Sequence, residues 1–213
     1  EARLDGAPPT RVASTDQSYL HPDRHASGAI VASRLTMHSD LWRYPIDGSP
    51  AENVRRAERL TRQTGQVQTP TTDPADREIA FLSDSGGHAN LWITAPATGE
   101  LRQVTHERDP EVSVGLPIWS PDGQSSAFVS SRGHTGLAFG LWLVGPDGGN
   151  LRNVPPSGLG AAWSADGQWL YYADGGALLK APASGGAPVS VRQGPVRNVI
   201  GLNGDTLYFT VDR

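Results

Sequence analysis

The sequence predicts an all-β protein, a β-propeller whose blades are four-stranded antiparallel sheets. Two observations carry this prediction. Short apolar runs alternate with turn sequences along the whole chain, and three of these runs, each a Leu-Trp pair, begin 50 residues apart at positions 41, 91 and 141. The 213 residues also include 25 Gly and 17 Pro, a combined share well above the roughly 12% of ordinary chains. So many turn-forming residues favour short strands over long helices.

The Leu-Trp pairs mark the third strand of each predicted blade. A turn sequence follows each pair, as Asp47-Gly48, Thr98-Gly99 and Asp147-Gly148. A shorter fourth copy of the third strand is Leu179-Lys180. The short extended segment after each turn predicts the fourth strand.

A second apolar run precedes each third strand and predicts the second strand. These runs occupy residues 29–32, 79–82, 127–129 and 170–172, and residues 207–209 are a fifth copy of the second strand. Tight-turn sequences precede the later runs, as Ser120-Pro121-Asp122-Gly123, Ser164-Ala165-Asp166-Gly167 and Asn203-Gly204-Asp205. A strand with one face in water alternates apolar and polar residues, so consecutive apolar residues indicate strands covered on both faces. Neighbouring blades provide that cover.

The repeats predict four complete blades, at residues 17–61, 65–105, 113–154 and 158–191. Residues 196–213 supply two strands of a further blade, and residues 1–13 resemble its other two strands. The ring has five blades if the chain closes on itself in this way; otherwise the chain is part of a six- to eight-bladed ring. Residues 51–60, between the third and fourth strands of the first unit, predict either a short helix or an irregular loop.

The third unit resembles the TolB-type repeat, a WD40-like propeller repeat. The resemblance rests on residues 117–124, Pro-Ile-Trp-Ser-Pro-Asp-Gly-Gln, and on the strands that begin Ala127-Phe128-Val129 and Gly140-Leu141-Trp142. A second copy of the turn is Trp163-Ser164-Ala165-Asp166-Gly167. The resemblance implies a propeller and a bacterial protein of the periplasm or cell surface, with the cytoplasm as the alternative. Such propellers serve as scaffolds, sensor domains and substrate gates of peptidases.

Composition narrows the classes of partner. A net charge of −4 and a pI of 5.8 argue against nucleic acid. No apolar run approaches the ~18 residues of a membrane span, so we expect no membrane insertion by this chain. The absence of cysteine excludes a disulfide scaffold and a thiol nucleophile. Because the chain opens on Glu1 without a start methionine, we expect covalently linked neighbour domains outside residues 1–213.

Three histidines raise the question of a metal site. His38, His88 and His134 each follow a predicted second strand, and imidazoles from neighbouring blades could bind zinc or copper. Loops on different blades lie far apart, however, so we expect each imidazole to hydrogen-bond its own loop. Aspartates of the first hairpins, such as Asp122 and Asp166, are expected to form Asx turns rather than a calcium site. We predict no metal and no cofactor.

The candidate binding site is the group of connectors that join the last strand of one blade to the first strand of the next. In a propeller these connectors gather at one mouth of the central channel, where loops carry function on a rigid scaffold. An arginine there could hold a carboxylate with two parallel hydrogen bonds. The alternative is a solvated polar rim. The predicted mouth residues are Arg62, His106, Glu107, Arg108, Asp109 and Arg197.

An enzyme with a site in the central channel is the competing interpretation, either a glycoside hydrolase or the propeller gate of a peptidase. A glycoside hydrolase needs two carboxylates roughly 5–9 Å apart. The first strands offer only Asp16, Asp73 and Asp76, and no local motif selects a nucleophile. We therefore predict a non-catalytic module that binds a protein or peptide, as a scaffold or sensor part of a larger bacterial protein.

Overall fold

The computed structural model describes residues 18–35, 37–133, 139–157 and 159–211. The chain divides into two compact units, Glu1–Met37 and His38–Arg213. The first unit contains an antiparallel hairpin of β1 (Ser18–Arg24) and β2 (Ile30–Leu35). The second unit opens with a two-stranded sheet of β3 (Trp42–Arg43) and β4 (Glu58–Arg59), with the helix α1 (Pro50–Arg55) between them.

Three four-stranded antiparallel sheets follow, and in each the strands pair in chain order. We number them as the second, third and fourth blades, after the repeats of the sequence. The second blade contains β5 (Val67–Thr72), β6 (Ile79–Ser83), β7 (Asn90–Ala95) and β8 (Glu100–Gln103). The third contains β9 (Val114–Trp119), β10 (Ser126–Ser130), β11 (Gly140–Val144) and β12 (Arg152–Ser157). The fourth contains β13 (Leu159–Trp163), β14 (Trp169–Asp174), β15 (Ala177–Pro182) and β16 (Val189–Arg192). The terminal sheet pairs β17 (Val196–Asn203) with β18 (Thr206–Val211).

The same register recurs in successive blades. Phe81 of β6 pairs with Trp92 of β7, and Phe128 of β10 pairs with Trp142 of β11. The middle strands are buried on both faces: all five residues of β10 are buried, while all four of β16 are exposed. Burial of the second and third strands on both faces is the arrangement that the consecutive apolar residues predicted.

The core lies between the sheets. Leu91 and Ile93 of the second blade pack in one cluster with Phe128 and Val144 of the third. Two further clusters join the third blade to the fourth and the fourth blade to the terminal sheet, and they centre on Leu141 with Tyr172 and on Leu178 with Val199. Each blade is therefore held by apolar contacts with its neighbours, at about 25 cal/mol for each Å² of apolar surface removed from water.

The helix α1 begins at a capping box. The Ser49 hydroxyl accepts from the Glu52 backbone N–H, and a carboxylate oxygen of Glu52 accepts from the Ser49 N–H at 2.9 Å. Pro50 occupies the first turn, where its missing N–H costs no intrahelical bond. Of the two alternatives for residues 51–60, the structure shows a helix, and it is shorter than the segment considered, because β4 follows three residues after its end.

The prediction of an all-β chain with four-stranded antiparallel sheets is confirmed. The predicted unit at residues 17–61 contains two separate two-stranded sheets, β1–β2 and β3–β4, so a four-stranded first blade stays a prediction. Residues 1–13, which would complete the terminal sheet, lie outside the described residues. Closure of the ring at five blades stays a prediction.

Candidate functional site

The antiparallel order gives each blade two ends. In the second blade the β6–β7 loop (residues 84–89) and the connector to the third blade (residues 104–113) lie at one end, which we call the connector end. The β5–β6 and β7–β8 turns lie at the opposite end, the turn end. The predicted mouth residues belong to the connector end.

The connector of the second blade is anchored by Asn90, the residue before the Leu-Trp pair. The Asn90 Oδ1 accepts from the Glu107 backbone N–H at 2.7 Å and from the Thr105 hydroxyl at 2.9 Å. The Asn90 amide donates to the Glu107 carbonyl at 3.1 Å. The Thr105 hydroxyl oxygen in turn accepts from the Leu91 N–H at 2.9 Å. One side chain thus fixes where the chain leaves the blade.

The β3–β4 sheet repeats this arrangement with Asp40. The Asp40 carboxylate accepts from the Gln63 backbone N–H at 2.9 Å and from the Thr61 hydroxyl at 3.0 Å, and Thr61 accepts from the Leu41 N–H at 2.9 Å. Burial alone would raise the pKa of Asp40, but these hydrogen bonds and the paired Arg59 guanidinium hold the pKa below its ordinary value. In the sequence, Asp40 and Asn90 are the residues that precede the Leu-Trp pairs at positions 41 and 91. The threonine just after each fourth strand, Thr61 or Thr105, is the signal that reveals the anchor.

Glu107 joins the connector to the third blade. Its carboxylate pairs with the Arg132 guanidinium at 2.8 Å and also accepts from the backbone N–H groups of Arg108 at 2.9 Å and Asp109 at 3.1 Å. The guanidinium of Arg132 lies 5.3 Å from the centre of the Trp142 ring, a cation–π distance. Burial would raise the pKa of Glu107, yet the two N–H donors and Arg132 hold it below the ordinary value.

The six predicted mouth residues thus have different environments. Glu107 is half-buried and hydrogen-bonded within the fold, and its carboxylate holds the backbone of Arg108 and Asp109. Arg197 lies on β17 rather than in the connector before it, because the last strand pair begins at Val196. The remaining five residues are exposed: Arg62, His106, Arg108, Asp109 and Arg197.

A cavity of about 160 Å³ lies at the connector end, between the first strands of the second and third blades. Its wall comes from the start of β5, the end of β6, the β6–β7 loop and the start of β9. The polar wall carries two glutamines, a serine and a carboxylate, and the apolar wall carries three aliphatic side chains. The lining residues are Gln66, Gln68, Leu82, Ser83, Asp84, Ala89 and Val114.

A buried amide without a partner lies next to this cavity. Gln63 is buried, and its Oε1 accepts from the hydroxyl of Ser83, a wall residue, at 3.3 Å. Its Nε2 finds no hydrogen-bond acceptor among the described residues. Buried side-chain donors are nearly always bonded, and an unbonded one costs about 1–3 kcal/mol. Gln63 was absent from the sequence-based site because nothing in its local sequence distinguishes it.

The three histidines do not converge in the described part of the chain. The ring Nε2 of His88 lies 2.8 Å from the Val112 carbonyl, so this imidazole ties its own loop to the connector. His38 is exposed, and His134 lies outside the described residues. Across the described ranges, no group of three or more His, Asp or Glu side chains is placed to hold a metal ion.

Comparison with known proteins gives three similarities. The chain is 34% identical to the uncharacterized peptidase YuxL of Bacillus subtilis over 128 residues, which cover 57% of this chain and 18% of that protein. It is 33% identical to the Tol-Pal system protein TolB of Alcanivorax borkumensis over 78 residues, 36% of this chain and 17% of that protein. A puromycin-hydrolyzing peptidase of Mycobacterium tuberculosis has a similar structure, with a TM-score of 0.64 at 16% identity over 91% of this chain and 33% of the other. No protein-family model matches the chain.

The structural match covers nearly the whole chain, and the consecutive four-stranded sheets fit it, so the fold is a β-propeller. The repeats are similar to those of the TolB protein over the 78 aligned residues. The chain itself spans about a fifth of the length of the curated relatives it matches, 18% and 17%. Within the described part of the chain, no helix has the length and apolar character to cross a membrane.

The aspartates of the TolB-type repeats are used within their own turns. The Asp122 carboxylate accepts from the Ser120 hydroxyl at 2.5 Å and from the Gln124 N–H at 3.0 Å, which lowers the pKa of Asp122. Asp166 repeats both bonds in the fourth blade, with Ser164 and Gln168. In the second blade Asp73 takes the place of the serine, and its carboxylate accepts from the Arg77 and Glu78 N–H groups at 2.5 and 2.9 Å.

Proposed function

We propose that this chain is a non-catalytic propeller module that binds an extended protein or peptide segment at its connector end. The observation that carries the proposal is the cavity between the first strands of the second and third blades, with polar and apolar walls. Ligand sites combine an apolar surface with a few placed polar groups in this way. The module would belong to a larger bacterial protein, in the periplasm or at the cell surface, which the TolB-type repeats support.

The wall of the cavity suits a peptide backbone. The Gln68 amide donates to the Gln66 Oε1 at 2.8 Å, and this linked pair presents its further amide groups to the cavity. A peptide backbone offers the carbonyl and N–H groups that such amides bind. Leu82 and Val114 provide apolar surface for a small side chain beside it.

The carboxylate of the wall already has a structural role. Asp84 accepts from the Gln66 backbone N–H at 2.6 Å, which fixes the entry into β5. Similarly, Glu107 is paired with Arg132 on the connector. We therefore assign these two carboxylates to the scaffold, and we expect the exposed Arg108 to contact the bound segment.

A second candidate is the propeller part of a peptidase. The similarity to the peptidase YuxL and to the puromycin-hydrolyzing peptidase favours it. Under this candidate the hydrolytic residues belong to another part of a longer protein, and the connector end of this chain contacts the peptide substrate. The two candidates share the binding site and differ in what surrounds it.

A displayed random-peptide library selected on the 213-residue chain tests the binding role. Fluorescence anisotropy then measures each selected peptide on the chain and on Ala89→Trp, which fills the cavity from the β6–β7 loop. Ala97→Trp, in the exposed β7–β8 turn at the other end of the same blade, is the matched control. We expect Ala89→Trp to weaken binding about tenfold or more, the effect of losing ~1.4 kcal/mol, and Ala97→Trp to leave it unchanged. Selected peptides that bind Ala89→Trp as tightly as the unaltered chain would contradict the proposal.

The peptidase candidate needs a separate assay on the longer gene product that contains this chain. Aminoacyl and dipeptidyl aminomethylcoumarin substrates report hydrolysis directly. Hydrolysis by the longer product, and none by the 213-residue chain, would support the peptidase candidate. A longer product that binds the selected peptides and hydrolyses none of these substrates would favour the scaffold.

A further inference from the structure

The second and third blades each carry an arginine at the same position of the outer strand. Arg102 of β8 pairs with Ile93 of β7, and Arg152 of β12 pairs with Leu143 of β11. Each arginine also reaches the next sheet. Arg102 donates to the Pro146 carbonyl at 3.0 Å, and Arg152 donates to the Ala183 carbonyl. Both guanidinium groups lie at the turn end, opposite the connectors.

In the second blade the guanidinium is neutralised inside the repeat. Arg102 pairs with Glu78 at 2.6 Å and with Glu100 at 3.4 Å. The Arg102 and Glu78 side chains are each 25% exposed, so a partly desolvated carboxylate balances a partly desolvated cation. An arginine at this position therefore needs a negatively charged partner, because leaving a partly buried charge unpaired lowers the free energy of unfolding.

The third blade lacks both carboxylates. The Ser120 N–H donates to the Ser125 carbonyl, as the Asp73 N–H donates to the Glu78 carbonyl in the second blade. Ser125 is therefore the counterpart of Glu78. Asn150, two residues before Arg152, is likewise the counterpart of Glu100. Among the described residues, no carboxylate lies within salt-bridge distance of Arg152.

A cavity occupies the place of the missing glutamate. Its volume is about 340 Å³, within the range of small-ligand sites, and its wall consists of Ser125, Leu143, Asn150, Leu151 and Arg152. A guanidinium, a hydroxyl and an amide meet there beside two leucines. A planar carboxylate is the group that a guanidinium fork binds with two parallel hydrogen bonds.

We propose that the cavity at Arg152 binds a carboxylate of a protein or peptide, in the place that Glu78 occupies beside Arg102. The carboxylate accepts from the guanidinium, with Ser125 and Asn150 as further donors, and an aliphatic neighbour of the acidic residue packs on the exposed Leu151. This site lies at the turn end, so it is independent of the cavity at the connector end. Either an acidic side chain or a C-terminal carboxylate could supply the group.

Three peptides distinguish the sources of the carboxylate. Acetyl-Leu-Glu-Leu-amide offers a side-chain carboxylate, acetyl-Leu-Leu with a free C-terminus offers a terminal one, and acetyl-Leu-Gln-Leu-amide offers neither. Titration into the ¹⁵N-labelled chain at low salt reports binding through the amide signals of Ser125, Asn150 and Leu151. We expect one or both carboxylate peptides to shift these signals, and the glutamine peptide to bind about tenfold more weakly or not at all.

Two substitutions remove the site in opposite ways. Arg152→Gln deletes the guanidinium, whereas Ser125→Glu supplies the internal carboxylate that the second blade has and leaves Arg152 in place. Both should lower the affinity for the carboxylate peptide about tenfold or more, and Ser125→Glu should also raise the Tm, because it pairs Arg152 within the fold. Gln124→Glu, which adds the same charge at the neighbouring exposed position, is the control and should change the affinity by less than about twofold.

Three results would overturn the proposal. The first is equal binding of the glutamine and carboxylate peptides. The second is an equal effect of Ser125→Glu and Gln124→Glu, which would mean that the peptide senses only general charge. The third is the absence of shifts at Ser125, Asn150 and Leu151 with either carboxylate peptide at millimolar concentration. Because Ser125→Glu keeps the bond from Arg152 to Ala183, it remains informative if Arg152→Gln does not fold.

Discussion

The Glu107 carboxylate lies 2.8 Å from the Arg132 guanidinium, and this pair joins the connector of the second blade to the third. The two side chains are 12% and 33% exposed, so water screens them only partly. Arg132 also lies over the Trp142 ring. The exposed residues Arg108 and Asp109 therefore project from a backbone whose position is fixed by hydrogen bonds to Glu107.

Replacing Glu107 tests this anchoring. Glu107→Gln keeps one oxygen for the N–H groups of Arg108 and Asp109 but removes the charge that pairs with Arg132. We expect the free energy of unfolding in urea to fall by about 1–2 kcal/mol, since a partly buried guanidinium loses its partner. Glu111→Gln, an exposed glutamate of the same connector, is the matched control and should change it by less than about 0.5 kcal/mol. Equal effects of the two substitutions would show that the pair adds nothing to stability.

Acid sensitivity follows from the lowered pKa values of buried carboxylates. Burial would raise the pKa of Asp73, but the N–H groups of Glu78 and Arg77 and the Arg77 charge lower it overall. A carboxyl whose pKa is lower in the folded state stabilises the fold above its unfolded pKa, near 4, and loses that contribution as the pH falls below it. The Tm should therefore decrease as the pH drops from about 5 towards 3.

Asp73→Asn should flatten this acid dependence, because asparagine has no proton to bind. The same change at Asp205, an exposed aspartate of the β17–β18 turn, should leave the slope of Tm against pH as it is. A slope that survives Asp73→Asn unchanged would assign the acid sensitivity to other carboxylates, such as Asp40 and Glu107.

We expect Tyr172 to make the stability of the fold depend on pH in the alkaline range. Its hydroxyl is buried and has no hydrogen-bond partner among the described residues, and burial, with the Asp174 charge, raises the pKa of Tyr172 to about 12. The unfolded chain ionises first, near pH 10, so the fold should lose stability as the pH rises from about 10 to 12. Tyr172→Phe should remove much of that loss.

The same substitution should also stabilise the chain at neutral pH, by about 0.5–1 kcal/mol, because the hydroxyl is desolvated without a bond. Tyr208→Phe, at a half-exposed tyrosine of β18, is the control for both measurements. A Tyr172→Phe chain that is less stable than the unaltered one at pH 7 would mean that the hydroxyl does have a partner, such as bound water.

The repeats could be predicted from the sequence because each turn and strand depends on residues that are close together in the chain. Turn residues such as Asp122 and the apolar pairs such as Leu91-Trp92 recur at fixed spacing, and each determines structure within a few residues of itself. The length of α1 could not be predicted from the sequence, because its end depends on where β4 pairs with Trp42 rather than on a local stop signal.

The site was less predictable than the fold. Residues 106–109 were predicted to lie in a connector, but the partner of Glu107 is Arg132, 25 residues away in another blade, and no spacing rule leads to it. Similarly, the two cavities are spaces between strands. They depend on how the strands pack and on where a short side chain stands in place of a longer one. Ser125 is recognised as the counterpart of Glu78 only after the strand register aligns the two blades.

Mapping the contact of a selected peptide on the ¹⁵N-labelled chain shows directly whether the connector end binds an extended segment. We expect the largest amide shifts to cluster at Gln66, Gln68, Ala89 and Val114, and we expect them to disappear in Ala89→Trp but persist in Ala97→Trp. Shifts confined to the turn end of the blades, or shifts at the connector end that survive Ala89→Trp, would contradict it.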